Sequence, residues 1–348
     1  MECVWPLISS PSSRVLRFLG IRLAFLIATY IVAITIVFIL PRTIPGNPLA
    51  LLLTQIFQQA QANPEAIREV YRALMNEFGV GKPLWEQYLD FLARTFRGDL
   101  GTSIAFYPRK VVDLIMPSVG WTLGLLVPAT LVAWAIGNYM GAIAGYRRGT
   151  AFEKSVVGVS FIISQIPYYW LAMLLTYIFS IRLGIFPSGG GYSVGLEPSL
   201  TISFIADVLW HYALPFLSIV LVSLGGWAIG MRVLTIYELR SDYMIFSEAL
   251  GVSDKMLFRY AFRNSLLPQV TGLALSLGGV LGGQLITETV FSYPGTGYII
   301  FRGLSTLDYP LIQGAFVILI ASLYIANFLV DFIYAVIDPR IRVGGETS

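Results

Sequence analysis

Long apolar runs alternate with short charged stretches along the chain, and this alternation predicts six membrane-spanning helices. The runs lie at Ile21–Leu40, about Gly120–Gly145, Val156–Ile181, Tyr212–Leu234, Val270–Val290 and Leu311–Val336. Each is long enough to cross a hydrocarbon core of about 30 Å at about 1.5 Å per residue. The first run follows basic residues, as in a signal peptide, but no small-residue cleavage site comes after it, so it reads as a retained span. Pro41 and Pro45-Gly46-Asn47-Pro48 end it, because proline removes a donor and restricts the residue before it. Between the first two runs the pattern changes. Residues 42–117 carry eight Lys/Arg, and Pro64–Phe96 reads as amphipathic helix with Ile67, Val70, Tyr71, Leu74 and Phe78 on one stripe. This segment is predicted to be a small extramembrane subdomain of two or three short helices. Pro187-Ser188-Gly189 opens a loop after the third run, and residues 291–305 form a short re-entrant-looking piece before the sixth.

Composition agrees with this pattern. Hydrophobic residues make up 56% and charged residues 12% of the chain, against about 25% charged in soluble domains. Mean hydropathy is +0.73. The basic residues form no stripe suited to nucleic acid. Cys3 is the one cysteine and His211 the one histidine, so neither an intrachain disulfide nor a Cys-based zinc site is expected. His211 reads as an interfacial residue at the end of the fourth span. Gly81-Lys82 is followed by Pro83 and is no phosphate-cradling loop, and no G-x-S-x-G elbow occurs. The chain is therefore expected to have no catalytic, cofactor or metal residues.

Short-loop charge predicts the orientation. Thirteen Lys/Arg fall on the side of the N-terminus: Arg14, Arg17, Arg22, Arg147, Arg148, Lys154, Arg232, Arg240, Lys255, Arg259, Arg263, Arg340 and Arg342. Only Arg182 and Arg302 fall in the opposite short loops. Both termini and the polar stretch between spans four and five are thus expected to be cytoplasmic. The chain divides into 1–41 (N-terminus and first span), an extracellular segment 42–117, a transmembrane core 118–337 with a cytoplasmic loop 236–268, and a tail 338–348.

The stretch Glu248–Pro268 is the most charged segment between the later apolar runs. Tyr243–Leu250 reads as a short amphipathic helix, Gly251 as a bend with φ > 0, and Ser253 as the N-cap of a second helix, Asp254–Arg263, with Asp254 at its favourable end. Leu267-Pro268 marks re-entry into the membrane. A solvated loop is one reading. Met244, Ile245, Phe246, Met256, Leu257 and Phe258 are contact-type side chains and point to the other, a docking face.

Here the residues resemble a known family. Glu248, Ala249, Gly251, Leu267 and Pro268 match the EAA motif of ABC-importer permeases, with Leu250 in place of the second alanine and the glycine following at once. Arg263-Asn264-Ser265-Leu266-Leu267-Pro268, Glu288-Thr289-Val290-Phe291-Ser292-Tyr293-Pro294-Gly295, Asp308-Tyr309-Pro310 with Gln313-Gly314, Asp338-Pro339-Arg340-Ile341-Arg342 and Pro45-Gly46-Asn47-Pro48 resemble the B-type subunit of the dipeptide/oligopeptide (nickel) branch. The resemblance implies an all-α membrane protein with the type I ABC importer permease fold of six transmembrane helices and a small helical extracellular insertion between spans 1 and 2. It implies a second homologous permease, two cytoplasmic ATPases that hold ATP and Mg, and an extracellular solute-binding protein. Residues 244–268 would couple to an ATPase, with Phe246, Glu248, Ala249, Leu250, Gly251, Arg259 and Pro268 as the contact and hinge positions. The solute would be a peptide, or in the same machinery an oligosaccharide or nickel. A stand-alone secondary transporter is the remoter alternative, since proton coupling generally needs buried carboxylates and the central parts of these spans have almost none.

Two further features remain open at this level. Gly137, Gly141 and Gly145, with the pairs Gly226/Gly230, Gly278/Gly282 and Gly279/Gly283, show small-xxx-small spacing, which serves either a moving helix interface or static packing. Glu288, at the outer end of span five, would face the translocation pathway, sit in water at the interface or cap the following turn. Asp331 reads as structural.

Overall fold

The computed structural model describes residues 11–43, 72, 75, 81–280 and 285–337. Its named elements are all helices, and among the described residues the β-type pairing is one isolated bridge between Thr102 and Lys110. The helices are α1 (Pro11–Thr43), α2 (Leu84–Phe96), α3 (Val111–Tyr146), α4 (Ala151–Ser164) and α5 (Tyr168–Leu175), the last continued by a π-helical segment Thr176–Arg182. Then follow α6 (Ile202–Glu238), α7 (Asp242–Ala249), α8 (Asp254–Gly279), α9 (Leu285–Val290), α10 (Thr296–Ser305) and α11 (Tyr309–Ile337). Of the amphipathic helix expected over Pro64–Phe96, the part from Leu84 forms α2. The stripe from Ile67 to Phe78, the Pro45–Pro48 motif, Gly282, Gly283 and the tail from Asp338 lie outside the described residues.

Among the described residues, three helices are long and apolar enough to cross a membrane: Gly20–Thr43 of α1, α3 and α6. A fourth is added if Ala151–Ser164 and Tyr168–Arg182 count as one span. The sequence pattern predicts that span as one run over about Val156–Ile181. It is instead bent by 96°, because Pro167 has no N–H to continue the ladder and holds Ile166 out of the helical region. The fifth run differs as well. The expected helix Asp254–Arg263 does not end before Leu267-Pro268, and α8 runs without interruption from Asp254 through Pro268 to Gly279.

The chain forms two compact units, Met1–Ile115 with Arg302–Ser348, and Met116–Phe301. In the first unit α1 packs along α11, with Tyr30 edge-on to Tyr324. Phe38 is buried against Tyr88 and Phe91 of α2, and Tyr88 Oη lies 2.6 Å from Thr35 Oγ1. In the second unit α6 is the central element and touches α4, α5 and α8. Leu125, Ala129, Leu171, Leu214, Ile219 and Phe291 form its apolar core.

The glycine stripe of α3 meets α6 at backbone distance. A β-carbon on Gly137 would stand 2.8 Å from the Leu224 carbonyl oxygen, and one on Gly145 2.9 Å from that of Arg232. On the other side of α6, a β-carbon on Gly225 would lie 2.5 Å from the Ser160 oxygen of α4. Glu153 ties these two helices further. Its Oε1 accepts from Arg232 Nε at 2.8 Å, and its Oε2 accepts from the Gly149 N–H at 2.5 Å. Thr150 caps α4 by accepting from the Glu153 N–H.

Candidate functional site

The segment 236–268 folds as a helical corner. α7 ends in a left-handed turn: Gly251 has φ +77°, its N–H donates to Glu248 O at 2.9 Å, and the Val252 N–H donates to Ser247 O at 3.2 Å. This pair of bonds satisfies the last carbonyls of α7 in the Schellman arrangement, which calls for a residue that enters the left-handed region without strain. Ser253 then starts α8 from the N-cap position, although its side chain makes no capping hydrogen bond. Behind the turn, Met244, Leu257 and Ala261 are buried together, with Tyr146, Leu239 and Val252 around them. Polar contacts lock the corner as well. Tyr146 Oη donates to the Asp254 carbonyl at 3.0 Å, and Tyr243 Oη donates to Glu238 Oε1. Asn264 Nδ2 donates to Glu238 Oε1 at 3.0 Å. Burial, and then the Glu238 bond, raise the Tyr243 phenol above its usual range.

The contact-type side chains therefore split into two sets. Met244 and Leu257 turn inward, and Phe258 packs between Tyr146 and Phe262, so these three close the corner on itself. Ile245, Phe246, Leu250 and Met256 remain exposed, with Phe246 at 65% and Leu250 at 68%. Glu248, Ala249, Gly251, Arg259 and Pro268 are exposed too. The expected docking face thus narrows to Ile245, Phe246 and Leu250 around Glu248, with Met256 across the turn.

Glu288 stands elsewhere in the same unit and is fully buried. Its Oε1 accepts from Thr122 Oγ1 at 2.8 Å, and its Oε2 accepts from the Gly297 N–H at 2.7 Å. Thr122 also accepts from the Thr296 N–H at 2.8 Å. The carboxylate therefore sits on the N-terminus of α10, where unpaired N–H groups and the helix dipole favour negative charge. This geometry is that of a cap. Asp308, in the other unit, repeats the device: it is fully buried, accepts from Ser103 Oγ and from the Ala105 N–H at 2.9 Å, and caps α11 through the Leu311 N–H at 3.1 Å. Near the start of α6, Asp207 Oδ2 accepts from the Ser193 N–H at 2.6 Å, and His211 Nδ1 lies 2.9 Å from the Asp207 carbonyl.

Sequence reasoning misses a cavity of about 830 Å³ in the second unit. Its walls come from Leu126 and Thr130 of α3, Ser164–Tyr168 at the α4–α5 bend, residues of α6 between Ile219 and Trp227, and residues of α8 from Gln269 to Gly279 with Val280 just past its end. These stretches fall near the middle of α3 and α6, the two longest helices. No lining residue is Asp, Glu, Lys, Arg or His. Irregular backbone at membrane depth is tolerated where it borders such a space. The signal available in the sequence was Pro167 inside an apolar run.

The corner, the α4–α5 bend and the Glu288 cap all fall inside residues 137–343, which match the family described as binding-protein-dependent transport system inner membrane component. The match spans more than half of the chain, and the chain belongs to this family of membrane transport components. Across nearly its whole length it is 31% identical to the di/tripeptide transport system permease protein DppB of Pseudomonas aeruginosa (strain UCBPP-PA14), covering 94% of this chain and 99% of that one. It is 30% identical to the dipeptide transport system permease protein DppB of Escherichia coli (strain K12), again over 94% and 99%. The oligopeptide transport system permease protein AppB of Bacillus subtilis (strain 168) is 29% identical, over 92% of this chain and 98% of that one.

Proposed function

We propose that the chain is the transmembrane permease subunit of an ATP-driven importer of peptides, that it forms half of the translocation pathway, and that it couples to an ATPase through residues 244–268. The observation that carries the reading is near full-length similarity to permease subunits of three organisms, each named for peptide transport. In this reading α1, α3, the bent α4–α5 pair, α6, α8 and α11 contribute six crossings of the cell membrane. The excess of Lys/Arg on one side supports cytoplasmic termini and an extracellular 42–117 segment that helps to receive the binding protein. A second homologous permease completes the pathway. Two cytoplasmic ATPases hold ATP and Mg and do the hydrolysis. The exposed Ile245, Phe246 and Leu250 on a rigid corner suit a groove on such an ATPase, since apolar anchors held in one conformation lose little freedom on docking. No observation on this chain favours an oligosaccharide or nickel over a peptide.

Reconstitution of the complete complex in proteoliposomes tests the reading. ATP-dependent uptake of a labelled dipeptide or tripeptide that requires the binding protein is the expected result. Uptake by this chain alone without ATP would overturn it in favour of a secondary transporter. ATP-driven uptake of an oligosaccharide or nickel with no peptide uptake would overturn the solute class.

A further inference from the structure

We propose that the cavity between α3, the α4–α5 bend, α6 and α8 holds the main-chain amide groups of a peptide in passage, with Gln165 and Gln269 as the side chains that hydrogen-bond them. The proposal rests on the peptide reading above and assigns a solute-contact site within it.

The first argument is charge. Peptides differ in side chains and share the main chain, whose groups are neutral donors and acceptors. A passage for many sequences must read what they share. The uncharged lining does this: a carboxamide offers two N–H donors and one carbonyl acceptor, the complement of a peptide group. A lysine or aspartate there would hold some peptides by their termini and repel others.

The second argument is hydrogen bonding within the chain. Gln165 is exposed and Gln269 is 7% exposed, and the amide atoms of neither are among the fully buried atoms that lack a partner, so both stay open to the space. Amides open to such a space can exchange a water partner for a peptide group at little net cost. The α8 main chain beside it is already engaged, because Trp134 Nε1 donates to the Gln269 carbonyl at 3.0 Å. The Gln269 side chain is thereby left as the variable polar group of that wall.

The third argument is the pair of glycines in the walls, Gly226 and Gly279. A β-carbon on either would meet nothing within 4 Å, in contrast to the tightly packed glycines of α3. Helix packing does not need them. Their lack of a side chain widens the space, and a β-carbon at either position is accommodated without contact. Tyr168 and Trp227 give the cavity aromatic surfaces for the side chains of the solute.

The test uses the complete importer in proteoliposomes with its binding protein and labelled tri-alanine. Gly279→Leu and Gly226→Leu fill the cavity. Gln165→Leu with Gln269→Leu keeps its volume and removes its amides. Gly158→Leu is the control, because Gly158 is exposed on α4, outside the cavity, with equally open surroundings. Recovery of assembled complex by size-exclusion chromatography verifies folding of each variant. The expected result is loss of uptake in the two filling variants. In the double glutamine variant uptake at low peptide should fall roughly fivefold to tenfold per lost bond, with normal uptake in Gly158→Leu. Full uptake in the assembled Gly279→Leu complex would take the cavity off the path. Lost uptake in Gly279→Leu with unchanged uptake in the double glutamine variant would leave a passage that does not hold amides, and would overturn the proposal while the peptide reading stands. Absence of peptide uptake by the unmodified complex would overturn the peptide reading itself, and the amide assignment with it.

Discussion

Gly141 of α3 and Ala228 of α6 cross at backbone contact: a β-carbon on Gly141 would stand 2.2 Å from the Ala228 carbonyl oxygen. No side-chain rearrangement relieves a clash with a main-chain atom, so the two helices must separate or shift to admit even a methyl group. Gly141→Ala is expected to destabilise the second unit by about 1–3 kcal/mol, the usual range for overpacking. Gly226→Ala, two residues from Ala228 but in open surroundings, should change stability by less than about 0.5 kcal/mol. Thermal unfolding of the purified complex in detergent, followed by loss of monodisperse protein, compares the two.

The turn at Gly251 is constrained differently. A β-carbon there meets nothing within 4 Å, but φ is +77°. Gly251→Ala is therefore expected to cost about 1–2 kcal/mol through backbone strain alone, and Gly251→Asn clearly less, because asparagine tolerates the left-handed region. Limited proteolysis between α7 and α8 reports the effect. Ala should open the corner to cleavage, Asn should stay closer to the parent, and equal protection in all three would refute the strain argument.

The two faces of α7 should separate stability from coupling. Phe246→Asp and Leu250→Asp alter exposed side chains and should leave folding within about 0.5 kcal/mol of the parent, while ATP-driven uptake is lost through failed contact with the ATPase. Met244→Asp buries a charge in the pocket formed with Leu257 and Ala261 and should prevent the corner from folding. Normal uptake in Phe246→Asp together with Leu250→Asp would remove the docking role from this face.

Glu288→Gln distinguishes a cap from a pathway residue. The variant keeps an acceptor but loses the charge that faces the N-terminus of α10, and stability should fall by about 1–2 kcal/mol. Uptake of cationic, neutral and anionic dipeptides should fall in step, if at all. A change in preference among the three would put Glu288 in contact with the solute. Thr122→Val, which removes the hydroxyl bridging Glu288 and Thr296, should reproduce the loss of stability.

Local signals were the readable part of this chain. Gly251 announces the turn because few other residues adopt its conformation, and the spaced glycines of α3 announce a close crossing. What the sequence withheld depends on which distant residue fills a given space. Met244 and Phe246 look alike as apolar residues on a short helix, and only the return of α8 against α7 buries the first and leaves the second exposed. Pro268 reads as a helix boundary from its own chemistry, yet α8 continues through it while neighbouring turns keep their bonds. The Glu153–Arg232 pair and the Thr122–Glu288 bond join residues far apart in the chain. The cavity draws on four separate stretches, none of which is unusual alone.

The continuity of α8 has a mechanical consequence. The corner at Asp254 and the cavity wall at Gln269 belong to one helix of 26 residues, and the distance between them is about 22 Å at about 1.5 Å per residue. A lever of that length has no loop in which motion is lost. A tilt of about 5° at the corner becomes a stroke of about 2 Å at the height of Gln269, comparable to the reach of one hydrogen bond. If the corner docks an ATPase and Gln269 meets the solute, as proposed, a small push at one end makes or breaks a contact at the other.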